Sequence, residues 1–248
     1  MLSVIIITYN EENKIRDCLE SVKWADEIVV VDSFSTDNTL SICKEYTPNV
    51  IQRKWEGFAS QKDFALKQAS NNWILSIDAD ERVTPELKEE IISICQSTQN
   101  ADGYKIPRRN HLIGKWIKSC FWYPDYQLRL FQKDKVEMNF VSVHEGFIIK
   151  GKEGICKGDL IHYTFDNLHD AFSKINTYSS LAAKDRFEKK RIRAIDFIFH
   201  PLAAFLTDFI SRKGYKDGVY GLIVSLINAI TNLMMYMKMW ELQRGKKI

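Results

Sequence analysis

Apolar residues in the first hundred positions alternate between continuous runs and helical spacing. The runs at Leu2–Thr8, Glu27–Asp32 and Trp73–Asp78 predict strands that are buried on both faces, as in a parallel sheet. After the first run, Asn10 is placed to cap a helix whose apolar positions repeat at helical spacing. These positions are Ile15, Cys18, Leu19 and Val22.

Further helices and strands are predicted between these runs. Ser35 is a suitable cap for a short helix, residues 50–52 read as a short strand, and residues 58–69 read as a helix. Thr84 and Pro85 predict the start of another helix, because Thr caps well and Pro is favoured at the first helical position. This βαβαβ order predicts an α/β fold with a mostly parallel sheet flanked by helices.

The pattern changes after residue 100, and from about residue 167 it is helical to the end. The shorter strands predicted in between are residues 103–107, 126–132 and 145–150, with an aromatic-rich loop around residues 116–123. We therefore predict two domains: residues 1–165, and a helical C-terminal region of residues 166–248.

The last long predicted helix, residues 219–237, carries no charge and is almost long enough to span a bilayer. A polar stripe nevertheless follows one helix face; it consists of Gly221, Ser225, Asn228 and Asn232. The two asparagines disfavour a transmembrane span. Two interpretations remain open: helices that pack on the domain or on a second copy in a homodimer, or helices that lie in the membrane interface.

Charge is spread unevenly along a chain of otherwise ordinary globular composition, with 45% hydrophobic and 27% charged residues. The net charge is +3, but residues 184–248 hold 13 basic and 6 acidic residues, or +7, which leaves −4 for the rest. The basic end favours contact with anionic lipid. Its basic residues lie among apolar helices rather than along an aromatic groove, which disfavours nucleic-acid binding.

Five scattered cysteines and an N-terminus that reads as a strand, without signal-peptide features, predict a cytoplasmic protein with reduced thiols.

Polar segments follow three of the predicted strands. They are Thr8-Tyr9-Asn10-Glu11, the segment from Asp32 to Asp37, and Asp78-Ala79-Asp80. In a parallel sheet all three would converge on one edge, where α/β proteins bind their ligands. Two carboxylates spaced two residues apart favour a divalent metal, Mg²⁺ or Mn²⁺, which would in turn hold phosphates.

In order and spacing, these three segments resemble the family-2 glycosyltransferases of the GT-A fold, and the resemblance covers residues 1–165 directly. His162-Tyr163 and the helices around residues 212–239 are similar to one branch of that family, the lipopolysaccharide inner-core β-glucosyltransferases that act on heptose. The sequence departs from the common pattern at Ser33, where many relatives carry a second Asp.

The resemblance implies a nucleotide-sugar-binding segment at the first two strand ends. Thr8 and Tyr9 would line the base pocket, and Asn10 and Glu11 belong to the same segment. Asp32 would accept a hydrogen bond from the uracil N–H, a contact that a carboxylate makes well.

The resemblance also implies the diphosphate end of the site. Lys62 would lie near the nucleotide, although it reads equally well as a surface lysine. Asp78 would bind the ribose or a metal-bound water, and Asp80 would ligate the metal that stabilises the departing UDP. His162 would either join the metal or bind a backbone carbonyl as a structural residue.

An inverting transfer needs a base that takes the proton of the acceptor hydroxyl. The resemblance favours Glu145, with His144 as a rival because its ordinary pKa lies near neutrality. Flat aromatic faces pack on sugar rings, so Trp116, Trp122 and Tyr123 are candidates for an acceptor wall, or for a small core under a long loop.

The resemblance therefore implies a metal-dependent, inverting hexosyltransferase. It would transfer a hexose to a glycolipid acceptor such as heptose of the lipopolysaccharide inner core. The hexose would be glucose, and the donor UDP-glucose. It would act at the inner face of the cytoplasmic membrane as a peripheral protein. The alternatives are transfer to a polyprenyl phosphate, and an inactive GT-A scaffold that only binds.

Overall fold

The structure is a computed structural model that describes residues 1–97, 101–140 and 146–245. The chain divides into two compact units: residues 1–108 with 125–162, and residues 109–124 with 163–248. The aromatic-rich residues 109–124 therefore group with the C-terminal helices. The predicted division of the chain at residue 165 stays a prediction.

The described strands and helices follow one another in the alternating order that the sequence predicts for the first hundred residues. The strands are β1 (Leu2–Thr8), β2 (Glu27–Asp32), β3 (Val50–Gln52), β4 (Trp73–Asp78), β5 (Glu81–Val83), β6 (Gly103–Leu112), β7 (Lys115–Trp116), β8 (Asp125–Gln132), β9 (Val136–Asn139), β10 (Gly146–Ile149), β11 (Glu153–Ile155) and β12 (Leu160–Phe165). The helices are α1 (Ile15–Val22), α2 (Thr39–Tyr46), α3 (Phe58–Gln68), α4 (Pro85–Gln96), α5 (Leu168–Arg186), α6 (Asp196–Leu206) and α7 (Val219–Leu242).

The large sheet has the strand order β3-β2-β1-β4-β8-β6-β12-β5, and β9 pairs with β10 separately. Strands β1 to β4 are parallel, whereas β8 joins β4 in antiparallel register. Apolar clusters pack α1 and α4, and separately α3, against this sheet. The predicted α/β fold, a mostly parallel sheet flanked by helices, is confirmed.

The predicted starts of two helices are wrong, and that of a third is confirmed. Helix α1 begins at Ile15, while the side-chain oxygen of Asn10 accepts the Thr36 N–H at 2.8 Å. Helix α2 begins at Thr39 rather than after Ser35, because the hydroxyl of Ser35 donates a hydrogen bond to the Asp32 carboxylate. Thr84 does cap α4, and its hydroxyl accepts the Leu87 N–H at 3.3 Å.

In the second unit, α7 packs against α5 and α6. A π-helical turn (Thr207–Ser211) and a 3₁₀ turn (Gly214–Asp217) connect α6 to α7. The predicted polar stripe of α7 faces these neighbours: Ser225 is buried, and the amide of Asn228 donates to Asp208 at 2.6 Å. By length and composition, α7 is the one described helix that could cross a bilayer.

Candidate functional site

The three polar segments lie together in the first unit. In the parallel register, Thr8 is opposite Asp32 and Ile7 is opposite Asp78, so the carboxyl ends of β1, β2 and β4 are adjacent. This places the candidate residues at the sheet edge where open α/β proteins bind their ligands.

The segment after β1 offers both a hydroxyl and an aromatic ring. The Thr8 hydroxyl is buried and has no hydrogen-bond partner among the described residues. The Tyr9 ring is exposed. The backbone N–H groups of Asn10 and Glu11 are bound by hydroxyls at 2.9 and 2.8 Å, which fixes the turn. Because a buried polar group without a partner is unusual in a native fold, the Thr8 hydroxyl is a candidate ligand contact.

Asp32 is fully buried at the end of β2. Its carboxylate accepts the hydroxyl and the N–H of Ser35 and, at 3.1 Å, the amide of Gln52. A carboxylate has about four acceptor positions, so these three contacts do not fill it. The neighbouring Ser33 is also buried and accepts the Gln61 amide at 2.9 Å, a contact that needs no charge at this position.

Asp78 lies between two cations. The Lys62 ammonium is 2.8 Å from one carboxylate oxygen, and the Arg129 guanidinium is 2.5 Å from the other. Burial raises the pKa of Asp78, but the charges of Arg129 and Lys62 outweigh burial and hold the pKa well below its usual range. Asp78 is therefore ionised at neutral pH.

Arg129 and Glu81 form the buried centre of the site, and sequence reasoning did not select either residue. Glu81 is fully buried. Its carboxylate accepts hydrogen bonds from the guanidinium groups of Arg129 at 2.6 Å and Arg108 at 3.2 Å, and from the backbone N–H of Asp78 at 3.0 Å. Burial lowers the pKa of Arg129, yet the charges of Asp78 and Glu81 raise it above its ordinary value. The signal for Arg129 was an arginine between two leucines of a predicted strand.

Arg108 in β6 is a third cation of this charge network. In the structure it bonds Asp125 through two of its nitrogens, at 2.9 and 2.5 Å. It thereby extends the charge network from Glu81 to the start of β8.

Asp80 lies beside His162, with 3.4 Å between the Asp80 carboxylate and the His162 Nε2. Both side chains are partly accessible, at 14% and 13%. A carboxylate and an imidazole are donors that Mn²⁺ accepts. In the described part of the chain, no group of three or more His, Cys, Asp and Glu is placed to hold a metal ion. The pair therefore fits a cation that takes its other ligands from substrate phosphates and water.

A cavity of about 400 Å³ opens next to Asp78. Lys62, Arg108 and Arg129 contribute its charged lining, and Gln127 adds an amide. This volume lies within the range of small-molecule sites. Gly146, which follows Glu145 in the chain, also lines the cavity.

The predicted base, Glu145, and its rival His144 lie outside the described residues, so the assignment of the base stays a prediction.

The candidate acceptor aromatics belong to the second unit. The rings of Trp116 and Tyr123 meet edge to face, with centroids 5.1 Å apart. Arg109 and Lys118 lie over the Trp116 ring, at 5.0 and 4.3 Å from its centroid. Trp122 packs instead against Leu112, Ile117 and Cys120 of a small apolar cluster. The acceptor role of these rings stays a prediction.

Comparison with known proteins gives a family and a fold. The family model described as "Glycosyl transferase family 2" matches residues 3–151. The lipopolysaccharide core biosynthesis glycosyltransferase LpsC of Rhizobium meliloti is 32% identical over 97% of this chain and 92% of LpsC. An uncharacterized glycosyltransferase of Rickettsia typhi is also 32% identical, over 97% of this chain and 87% of its own.

A solved structure is similar over almost the whole chain. It is S. aureus TarS 1–349 in complex with UDP-GlcNAc, which matches with a TM-score of 0.50 and 16% identity. The match covers 99% of this chain and 92% of that structure. At this identity the similarity supports the fold alone.

Proposed function

This chain belongs to glycosyl transferase family 2, and from that premise we propose that it transfers glucose from UDP-glucose to a glycolipid, with inversion at the anomeric carbon. The proposed acceptor is heptose of the lipopolysaccharide inner core. The similarity to a lipopolysaccharide core biosynthesis glycosyltransferase supports this acceptor class. The observation that carries the proposal is the meeting of Thr8, Asp32 and Asp78 at adjacent strand ends.

The nucleotide would occupy this edge of the sheet. The uracil would meet the Thr8 hydroxyl and the Tyr9 ring, and its N–H would donate to Asp32. Asp78, which Lys62 and Arg129 hold in its ionised form, would accept a ribose hydroxyl. The charged groups are already oriented by one another, so binding would need little rearrangement.

Asp80 and His162 would hold Mg²⁺ or Mn²⁺. When bound, the cation supplies positive charge that stabilises the departing UDP.

The proposed transfer has one covalent step. The acceptor oxygen forms a bond to the anomeric carbon as the bond from that carbon to the diphosphate oxygen breaks. The proton of the acceptor hydroxyl passes to the Glu145 carboxylate, and UDP leaves with the electron pair of the broken bond. The position of Gly146 in the lining of the cavity supports a base next to it in the chain.

We also place the protein at the inner face of the cytoplasmic membrane, as a peripheral protein that makes contact through its C-terminal helices. The net charge of +7 on residues 184–248 supports this location. The acceptor would be embedded in that membrane by its lipid.

Donor binding and UDP release test the proposal. In a thermal-shift panel with Mn²⁺, UDP-glucose should raise the melting temperature more than UDP-galactose, UDP-N-acetylglucosamine, GDP-mannose or ADP-heptose. With a heptose-containing acceptor present, Asp80→Asn should abolish the release of UDP. Asp134→Asn, a change at an exposed carboxylate, should leave UDP release unchanged. Absence of both a UDP-glucose shift and UDP release from the wild-type protein would refute the proposal.

A further inference from the structure

Large apolar side chains are exposed along one face of α6 and the turn that follows it. Their exposed fractions lie between 42% and 66%, and they are Ile195, Ile198, Phe199, Leu202, Leu206 and Ile210. Their spacing places them on one side of the helix. Single exposed apolar residues are normal on soluble proteins, but a contiguous stripe of six indicates a surface that is covered in use.

This surface exposes no carboxylate. Residues 194–211 contain two acids, Asp196 and Asp208, and both are buried. Lys190 lies 2.6 Å from Asp196, and Arg212 lies 2.8 Å from Asp208. Since the two negative charges are buried and paired, the exposed face can approach an apolar or anionic surface without repulsion.

Basic residues lie at both ends of the apolar face. Residues 186–218 hold eight Lys and Arg and four Asp and Glu, or +4. Asp217, a third acid of this segment, accepts the Ser119 hydroxyl at 2.6 Å, and the fourth, Glu188, is exposed. The basic side chains that flank the face are Arg186, Lys189, Lys190, Arg191 and Arg193 before it, and Arg212, Lys213 and Lys216 after it. An apolar strip between basic ends is complementary to a bilayer with anionic headgroups.

The length of α6 determines how it would meet a bilayer. Its 11 residues extend for about 16 Å, whereas the hydrocarbon core is about 30 Å thick. The helix must therefore lie along the surface rather than cross it.

Helix α7 is long enough to cross a bilayer, but polar contacts hold it in the second unit. Its Lys238 ammonium donates to Asn176, Ser179 and Ser180 of α5 at 2.6 to 2.8 Å. Its Asn228 donates to the buried Asp208. A spanning α7 would lose these partners in an environment that offers no replacement.

We propose that the exposed face of α6 inserts into the headgroup region of an anionic phospholipid bilayer and that the flanking basic residues bind the headgroups, an inference that rests on the membrane contact proposed above. The face, rather than α7, is then what attaches the enzyme to the membrane.

Vesicle co-sedimentation of the full chain tests this assignment, with no donor or acceptor present. The wild type should bind vesicles of equal parts phosphatidylcholine and phosphatidylglycerol, and binding should weaken with added salt. The double variant Phe199→Ser, Leu202→Ser should bind at least about tenfold more weakly, since it loses two apolar side chains that would insert into the bilayer. The matched control is Phe172→Ser, Leu181→Ser, which changes two exposed apolar residues on α5. It should bind as the wild type does.

A second variant tests the charges alone. Arg191→Gln, Arg193→Gln should weaken binding to anionic vesicles and leave the weak binding to pure phosphatidylcholine unchanged. The proposal is overturned if the wild type does not bind anionic vesicles. It is overturned equally if Phe199→Ser, Leu202→Ser and Arg191→Gln, Arg193→Gln both bind them as the wild type does. It is also overturned if the wild type is a dimer that Phe199→Ser, Leu202→Ser converts to a monomer without vesicle binding, because a second copy would then cover the face. Vesicle binding without any sugar transfer would refute the transferase proposal alone.

Discussion

The guanidinium of Arg129 lies 2.5 Å from the carboxylate of Asp78, which joins the middle of β8 to the carboxyl end of β4. The same guanidinium lies 2.6 Å from Glu81. One buried cation thus fixes both the strand end that carries the candidate ribose ligand and the residue that follows Asp80. The geometry of the candidate site therefore depends on Arg129, although the proposed metal ligands do not include it.

Replacing Arg129 by Met should destabilise the fold strongly. The change leaves Glu81 buried with less compensation, and breaking a buried ion pair from one side typically costs about 3 to 5 kcal/mol. Urea denaturation would measure the loss. As a control, Arg16→Met removes a surface pair with Glu45, whose side chains are 48% and 52% exposed, and should leave the denaturation midpoint unchanged.

Adding Glu81→Leu to Arg129→Met should recover part of the lost stability, because the buried carboxylate that Arg108 alone would then compensate is also removed. If the two substitutions were simply additive, the ion pair between Arg129 and Glu81 would not be a stabilising unit of this fold.

The folded protein should lose stability in acid partly through Asp78. Its pKa is lower in the folded protein than in the unfolded chain, so below about pH 4 the unfolded chain binds the proton first. The contribution of this carboxylate is therefore complete above that pH and is lost as the pH falls. Denaturation midpoints measured from pH 6 to pH 3 should fall less steeply for Asp78→Asn than for the wild type. Parallel curves would contradict a depressed pKa at this position.

The sequence predicted the parallel half of the fold well because its signals are local. Continuous apolar runs gave the bounds of β1, β2 and β4, and each run ended in a polar segment. The convergence of Thr8, Asp32 and Asp78 followed from the rule for parallel strands. Two of the three predicted helix caps were wrong. Asn10 and Ser35 are residue types that favour the cap position, but their side chains make contacts between neighbouring loops instead.

The ion pairs of the site could not be predicted. Arg129 is 51 residues from Asp78, and the two meet only because β8 pairs antiparallel with β4. A pattern of apolar residues specifies that a strand exists, but not which strand lies beside it. The inward orientation of Glu81 likewise depends on cations supplied by β6 and β8.

Lys238→Met should loosen the contact between α7 and α5. The Lys238 ammonium donates to oxygens of Asn176, Ser179 and Ser180. A hydrogen bond to a charged group typically contributes about 1.5 to 3 kcal/mol, and less where solvent can replace the partner, as it can here. We expect a net loss of about 1 to 2 kcal/mol in the free energy of unfolding. Lys184→Met, a change at an exposed lysine near the end of α5, is the matched control and should have little effect. Equal stability of the two variants would show that α7 is held by apolar packing alone.

Glu145→Gln separates the proposed acceptor from a polyprenyl phosphate. A sugar hydroxyl must lose its proton as it attacks, and a positioned base typically contributes about 10² to 10⁴ in rate. Transfer to a heptose acceptor should therefore fall by that factor, while UDP-glucose still raises the melting temperature. The control is Glu137→Gln, which alters an exposed carboxylate that pairs with Lys150. A phosphate acceptor is already ionised, so near-normal transfer by Glu145→Gln to an added polyprenyl phosphate would instead favour that acceptor. Loss of both transfer and UDP-glucose binding would indicate damage to the donor site rather than to the base.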